Sequence, residues 1–210
     1  MSRIILDLGS GNTCKNDIEI IKEMINSVAE IDRGKHEVIF KMQLFENSKI
    51  NIPLKRTVFS DAVFAANIHG YKMTASVFDE SSVKFLERFK VPFIKIANSW
   101  NSSNVVQYVK ADTELYVSYR HKNVKIRFAN AQNVKLLCCV SSYPADIVDY
   151  EYGFSATSLR KGISDHTVGF ELFNKYKPEI WEKHLKLPDS TGPDSGEFAV
   201  TPEQLKEILW

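Results

Sequence analysis

Cysteine is scarce, with three in 210 residues, at positions 14, 138 and 139. An odd count with one adjacent pair makes a poor disulfide framework and suits a reducing cytosol. Cys138-Cys139 is not a metal-ligand spacing either, because neighbouring strand residues point to opposite faces. Net charge is almost absent, with 27 basic against 26 acidic residues. That balance leaves no basic or acidic field for a nucleic acid or a membrane surface. No apolar run approaches the roughly 20 residues of a spanning helix. The start, MSRIILDLGSGN, runs straight into a strand-like segment with no visible signal peptide, so the expected location is the cytoplasm. Repeats, low-complexity stretches and linkers are missing too, which predicts one domain over residues 1–210.

What is present is a series of short apolar runs. They fall at Arg3–Leu8, His36–Met42, Tyr71–Phe78, Val91–Ala97, Glu114–Tyr119, Asn133–Val140, Gly162–Ser164 and Ile180–His184. Helical patterns separate most of them. Asp17 caps one with Ile18, Ile20, Ile21, Met24, Ile25 and Val28 marking a single face. Others lie near Phe59–Ile68, after Asp79, near Asn104–Val109 and over Thr201–Leu209. Alternating strands and helices predict parallel pairing, and eight strands close a (β/α)₈ barrel. At this length the α/β TIM barrel is compact, with some helices shortened or missing. Short turns or single helical turns are expected between Tyr119 and Asn133, where Asn123–Phe128 alternates like a strand, and between Pro144 and Arg160. An open doubly-wound or seven-stranded sheet is the alternative.

In such a barrel the active site lies at the C-terminal ends of the strands. There the sequence places Asp7, Ser10 and Asn12, then Lys41 and Gln43, Thr74 and Ser76, Asn98 and Ser99, Ser118 and Arg120. Ser141, Ser142 and Tyr143 follow, then Ser164, Asp165 and His166, and finally Glu182, Lys183 and His184. Cations with hydroxyl donors suit a small ligand carrying phosphate and carboxylate. A polar rim is also what any solvated barrel end requires. Lys41 stands out because a lysine inside an apolar strand needs a partner when buried. His166 and His184 each sit beside a carboxylate at the same end of neighbouring strands. Two neutral imidazoles so placed can hold a divalent metal; taken singly, each is as well read as a loop or core histidine.

These residues carry a family resemblance. Ser164-Asp165-His166-Thr167, Glu182-Lys183-His184 and Gly192-Pro193-Asp194 resemble the end of the catalytic barrel of the sialic acid synthases. Lys41-Met42-Gln43 is similar to the family's second-strand motif, Thr74–Asp79 to its third, Phe93–Ser99 to its fourth and Cys139–Pro144 to its sixth. The matches keep their order over nearly the whole chain.

The resemblance implies condensation of phosphoenolpyruvate with an N-acylated amino sugar of the N-acetylmannosamine type, releasing phosphate and forming a nonulosonate-type sugar acid. It implies a divalent ion, Mn²⁺ first with Mg²⁺ or Co²⁺ as alternatives, held by His166 and His184. The phosphate would lie against Lys41, Ser118, Ser141 and Ser164, with Gln43, Asn98, Arg120 and Tyr143 also binding substrate. Asp7, Lys41 and His166 would carry the chemistry. Several positions depart from the family pattern. Asp7 replaces a glutamate, Ser118-Tyr119-Arg120-His121 replaces Ser-Thr-Gly-Met, and Ser195 follows the Gly-Pro-Asp motif where a histidine is usual. Tyr150 and Tyr152 stand where an Asn-Leu pair contacts the sugar, and the family's C-terminal antifreeze-like domain has no counterpart before Trp210. The expected partners are therefore the small-molecule substrates and either a homodimer mate or a separate lid protein. Two functions follow: a minimal synthase acting on this or another aldose, or an inactive barrel of the same family that binds ligands or serves as a scaffold.

Overall fold

The architecture is that of a computed structural model, which describes residues 1–99, 102–120 and 133–210, with the side chains at 102 and 103 excepted. Eight strands close a barrel: β1 (Arg3–Asp7), β2 (Glu37–Leu44), β3 (Lys72–Val77), β4 (Ile94–Ile96), β5 (Leu115–Tyr119), β6 (Val134–Cys139), β7 (Gly162–Asp165) and β8 (Ile180–His184). Every strand is parallel to its neighbours, and β8 returns to β1. Closure of all eight excludes the open-sheet alternative. The expected strand over Asn123–Phe128 lies outside the described residues.

Around the barrel run α1 (Ile18–Ile31), α2 (Arg56–Ile68), α3 (Glu80–Leu86), α4 (Ser102–Val105), α5 (Ile147–Gly153), α6 (Ala156–Lys161), α7 (Glu171–Tyr176) and α8 (Pro202–Leu209). Local sequence sets their starts. Asp17, Asp79, Asp146, Ser155 and Thr201 each accept a backbone N–H from the first turn that follows. Between β6 and β7, where short turns or single helical turns were expected, two short helices stand end to end. Each has its own cap, and the chain is extended at Phe154 and Ser155 between them.

Strand alternation divides the apolar mass in two. Outward residues such as Ile4, Leu6, Phe40, Met42 and Trp181 form the large core under the helices. Inward residues Ile5, Ile39, Phe93, Tyr116 and Leu137 fill the lower half of the barrel, with Phe93 and Tyr116 stacked at 3.8 Å. This apolar plug closes the N-terminal end. Two residues further along each strand, the inward positions turn polar, and there the site begins.

Candidate active site

Above the plug, register does most of the positioning. Asp7 is paired with Lys41 on one side and His184 on the other. Ser76 is paired with Lys95, Cys139 with Ser164, and Ser164 with Glu182. All point inward around a cavity of about 400 Å³ at the C-terminal end of the barrel.

Two buried ion pairs form its floor. Lys41 Nζ lies 2.6 Å from Asp7 Oδ2 and donates to Ser76 Oγ at 3.0 Å. Lys95 Nζ reaches both oxygens of Glu182, at 2.8 and 2.7 Å. Ser164 Oγ donates to Glu182 at 3.0 Å, and Lys41 stands 4.0 Å from the same carboxylate. Burial would raise the Asp7 and Glu182 carboxyls, but the adjacent lysine charges outweigh it and hold both below the usual range. Burial likewise disfavours the charged Lys41, and Asp7 and Glu182 reverse that, so Lys41 is raised. Asp7 and Glu182 are therefore carboxylates, and Lys41 an ammonium, at neutral pH.

The imidazoles form one wall, with ring centres 5.6 Å apart. His166 Nδ1 lies 2.6 Å from the Val140 carbonyl, which can only accept, so the proton is on Nδ1 and Nε2 is bare. Burial first, and the neighbouring His184 second, depress the His166 pKa to about 3. His166 is thus neutral, as a metal ligand must be, and oriented from behind. His184 Nε2 is 3.6 Å from Asp7, while its Nδ1 is buried without a hydrogen-bond partner, 3.8 Å from Asp194. Phe198 packs against both rings and Tyr143 lies over His166 at 4.3 Å. Among the described residues no cluster of three or more His, Cys, Asp or Glu side chains forms a ready cation cage. The arrangement fits a divalent ion held by two imidazoles, with its remaining positions left to substrate or water.

Nine expected residues line the cavity: Asp7, Lys41, Gln43, Asn98, Ser118, Tyr143, Ser164, His166 and His184. Ser118 Oγ is buried there without a partner. Two expected residues do not line it. Ser141 is exposed above the cavity, where its hydroxyl accepts from Asn98 at 2.8 Å. Arg120 is exposed one residue past the end of β5, so the alternation that turns Ser118 inward no longer governs it. Asp165 and Lys183 also leave the rim. They are fully buried on the outer face, 3.3 Å apart, with Trp181 Nε1 donating to Asp165 at 2.9 Å. The carboxylate beside His166 in sequence is therefore not its partner in space.

Three contributors went unassigned in the sequence reading. Lys95 sits between Ile94 and Ile96, the signal that singled out Lys41. Glu182 appeared only as a rim residue, although β8 alternation turns it inward with His184. Asp194 folds back over the mouth, accepting from Gln43 at 3.0 Å and Ser10 at 3.2 Å. Gly9, at φ +75°, permits that approach, since a Cβ there would collide with Thr13 and sit 2.9 Å from Asp194.

Comparison with known proteins bears on the family and the fold. The NeuB family model matches residues 41–209. N-acetylneuraminate-9-phosphate synthase of Drosophila melanogaster is 27% identical over 155 residues, which cover 64% of this chain and 41% of that protein. The chain thus spans less than half the length of this relative. Among solved structures, N-acetylneuraminic acid (sialic acid) synthetase of Leptospira borgpetersenii serovar Hardjo-bovis superposes with a TM-score of 0.79 at 22% identity, covering 98% of this chain and 80% of that one. Spore coat polysaccharide biosynthesis protein spsE of Bacillus subtilis superposes with a TM-score of 0.76 at 18% identity, covering 99% and 66%. These likenesses establish the same barrel. With the family model spanning most of its length, the chain belongs to the NeuB family.

Proposed function

We propose that this chain joins phosphoenolpyruvate to the open-chain aldehyde of an N-acylated amino sugar, or of another aldose, and releases inorganic phosphate. The observation that carries the reading is the floor itself. Two buried lysines face the cavity, ringed by the hydroxyls of Ser76, Ser118 and Ser164, and the Ser118 hydroxyl has no protein partner. Such a ring suits a ligand bearing phosphate and carboxylate at once. The chemistry follows the family resemblance. C3 of the enol forms a bond to the aldehyde carbon, water adds at C2, and the C2–O bond to phosphate breaks.

Each residue has a part in that scheme. Lys41 and Lys95 hold the anionic groups and turn partly away from Asp7 and Glu182 as they do so. Asp7, ionised and bonded by Lys41 and Gln43, accepts a proton from a sugar hydroxyl or from water at its carboxylate oxygen. Gln43, Asn98 and Tyr143 flank the acceptor. The cavity lining carries two lysines against three carboxylates, Asp7, Glu182 and Asp194. The floor's two ion pairs cancel and Asp194 over the mouth leaves the lining net negative, which repels a trianion, so added positive charge is needed. His166 and His184 would hold a divalent cation, Mn²⁺ first, which supplies Lewis-acid polarisation of the aldehyde oxygen. We place the reaction in the cytoplasm; among the described residues no helix is long and apolar enough to cross a membrane.

The test is phosphate release from phosphoenolpyruvate, with and without Mn²⁺, against N-acylated hexosamines and simple aldoses. Metal-dependent release with one acceptor, abolished in His166→Ala/His184→Ala, is the expected result. No release with any acceptor from a folded protein would instead favour the inactive barrel, which the exposed Arg120 and Ser141, both outside the cavity lining, support.

A further inference from the structure

Tyr150 stands where the family pattern places a sugar contact, yet it is fully buried and does not line the cavity. Its hydroxyl is engaged with the main chain that carries His166. It donates to the Ser164 carbonyl at 2.6 Å and accepts the His166 N–H at 3.1 Å. Local sequence puts it there. Asp146 caps α5 by accepting the Val148 N–H at 3.1 Å, and Tyr150 follows one turn later with its ring against Phe154.

The ladder between β6 and β7 shows what the hydroxyl replaces. The strands pair at Cys138 with Ile163 and at Cys139 with Ser164. The next parallel step would set Val140 opposite Asp165, with the His166 N–H donating to the Val140 carbonyl. Pairing stops short of that step. The His166 N–H goes to Tyr150, and the Val140 carbonyl instead accepts Nδ1–H of the His166 ring at 2.6 Å. The chain after β6 rejoins β7 only at Ala145, whose N–H donates to the His166 carbonyl at 2.8 Å. Between Cys139 and Ala145 the Tyr150 hydroxyl stands in for the missing strand. His166 is thus held at its N–H, its carbonyl and its ring. A Val140 carbonyl spent on the ladder would leave the ring without its acceptor.

We propose that Tyr150 is a positioning residue for His166: its hydroxyl takes the ladder place of the Val140 carbonyl, which frees that carbonyl to hold the imidazole with Nε2 bare toward the cavity. The consequence for a bound cation rests on the metal reading above; the consequence for the imidazole does not.

Nuclear magnetic resonance of the ¹⁵N-labelled 210-residue chain in EDTA is the first test. The parent should show His166 as the Nδ1–H tautomer and an exchange-protected Tyr150 hydroxyl proton with a cross-peak to the His166 amide. In Tyr150→Phe the His166 N–H should turn to the Val140 carbonyl, and the ring should lose the pure Nδ1–H tautomer. The second test is Mn²⁺ binding, read from the paramagnetic resonance signal of the free ion. Tyr150→Phe should raise the dissociation constant about tenfold or more, as loss of support behind a metal-bound histidine does. Leu159→Ala is the control. It removes buried packing from the same β6–β7 connection but no bond at His166, and should leave the Mn²⁺ affinity unchanged. A parent without the protected hydroxyl proton would overturn the proposal, even if Tyr150→Phe fails to fold. So would a Tyr150→Phe protein that keeps the parental tautomer, or a Leu159→Ala protein that loses Mn²⁺ affinity as Tyr150→Phe does. A parent that binds no Mn²⁺ would refute the metal reading instead, and the tautomer alone would then decide the role of Tyr150.

Discussion

Lys95→Met strips Glu182 of its bidentate partner inside the barrel. What remains for the carboxylate is the Ser164 hydroxyl at 3.0 Å and Lys41 at 4.0 Å. Removing one member of a buried pair costs about 3–5 kcal/mol. Because Lys41 still shares the charge, the lower end applies, about 3 kcal/mol. For a domain of this size that is a fall in Tm of about 6–12 °C. Adding Glu182→Leu removes the stranded charge. Replacing both members by apolar groups of similar volume is close to neutral, so the double variant should recover to within about 1 kcal/mol of the parent. The coupling between the two sites is then about 2 kcal/mol or more. Urea unfolding followed by circular dichroism on the parent, both single variants and the double variant measures each corner. Neither Lys95→Met nor the double variant should release phosphate from phosphoenolpyruvate, since both lack the cation that faces the ligand. A stable but inactive double variant would identify the pair as kept for binding rather than for folding. If the double variant were as unstable as the sum of the singles, the reasoning about this pair would fail.

Ser118→Ala removes a buried hydroxyl that has no partner in the free protein; unfolding free energy should change by less than about 0.5 kcal/mol, while KM for phosphoenolpyruvate rises about tenfold or more. In Gly9→Ala a β-carbon must fit at φ +75° against Thr13 and Asp194; a loss of about 2 kcal/mol or more in urea unfolding is expected, and an undisturbed protein would count against the tight packing drawn there. His166 has a folded pKa of about 3, below its ordinary value of about 6.5. In the presence of EDTA its contribution to stability is therefore complete above about pH 6.5 and declines as pH falls toward about 3, by up to roughly 1.4 kcal/mol per pH unit. His166→Phe should flatten the stability profile between about pH 4.5 and 6.5, above the range where Asp7 and Glu182 begin to lose their ion pairs.

Much of the barrel was legible because its strands are short apolar runs bounded by turns and caps, and the parallel order follows from the helical patterns between them. Lys41 could be found from charge alone, since a lysine within Val38–Met42 has no cheap way to be buried unpaired. Lys95 offered the same signal in a shorter strand and was passed over, and its partner Glu182 with it. Period-two alternation also separates Glu182 and His184 from Lys183, and Ser164 and His166 from Asp165, so reading the rim residue by residue blurred two faces that the pleat keeps apart. Arg120 failed for a different reason: alternation stops where the strand stops, and no local pattern marks Tyr119 as the last residue of β5. Asp194 was least accessible. It reaches Gln43 across 151 positions of sequence, and only closure of the barrel brings the last loop back over the first two strands.

Calorimetric titration of phosphoenolpyruvate into the parent protein, with and without Mn²⁺, tests the central claim most directly. A cavity lined by two lysines, three carboxylates and two imidazoles should bind the trianion only when the cation is present, and Lys41→Met should abolish that binding. No binding under either condition, or equal binding with and without Mn²⁺, would contradict the account.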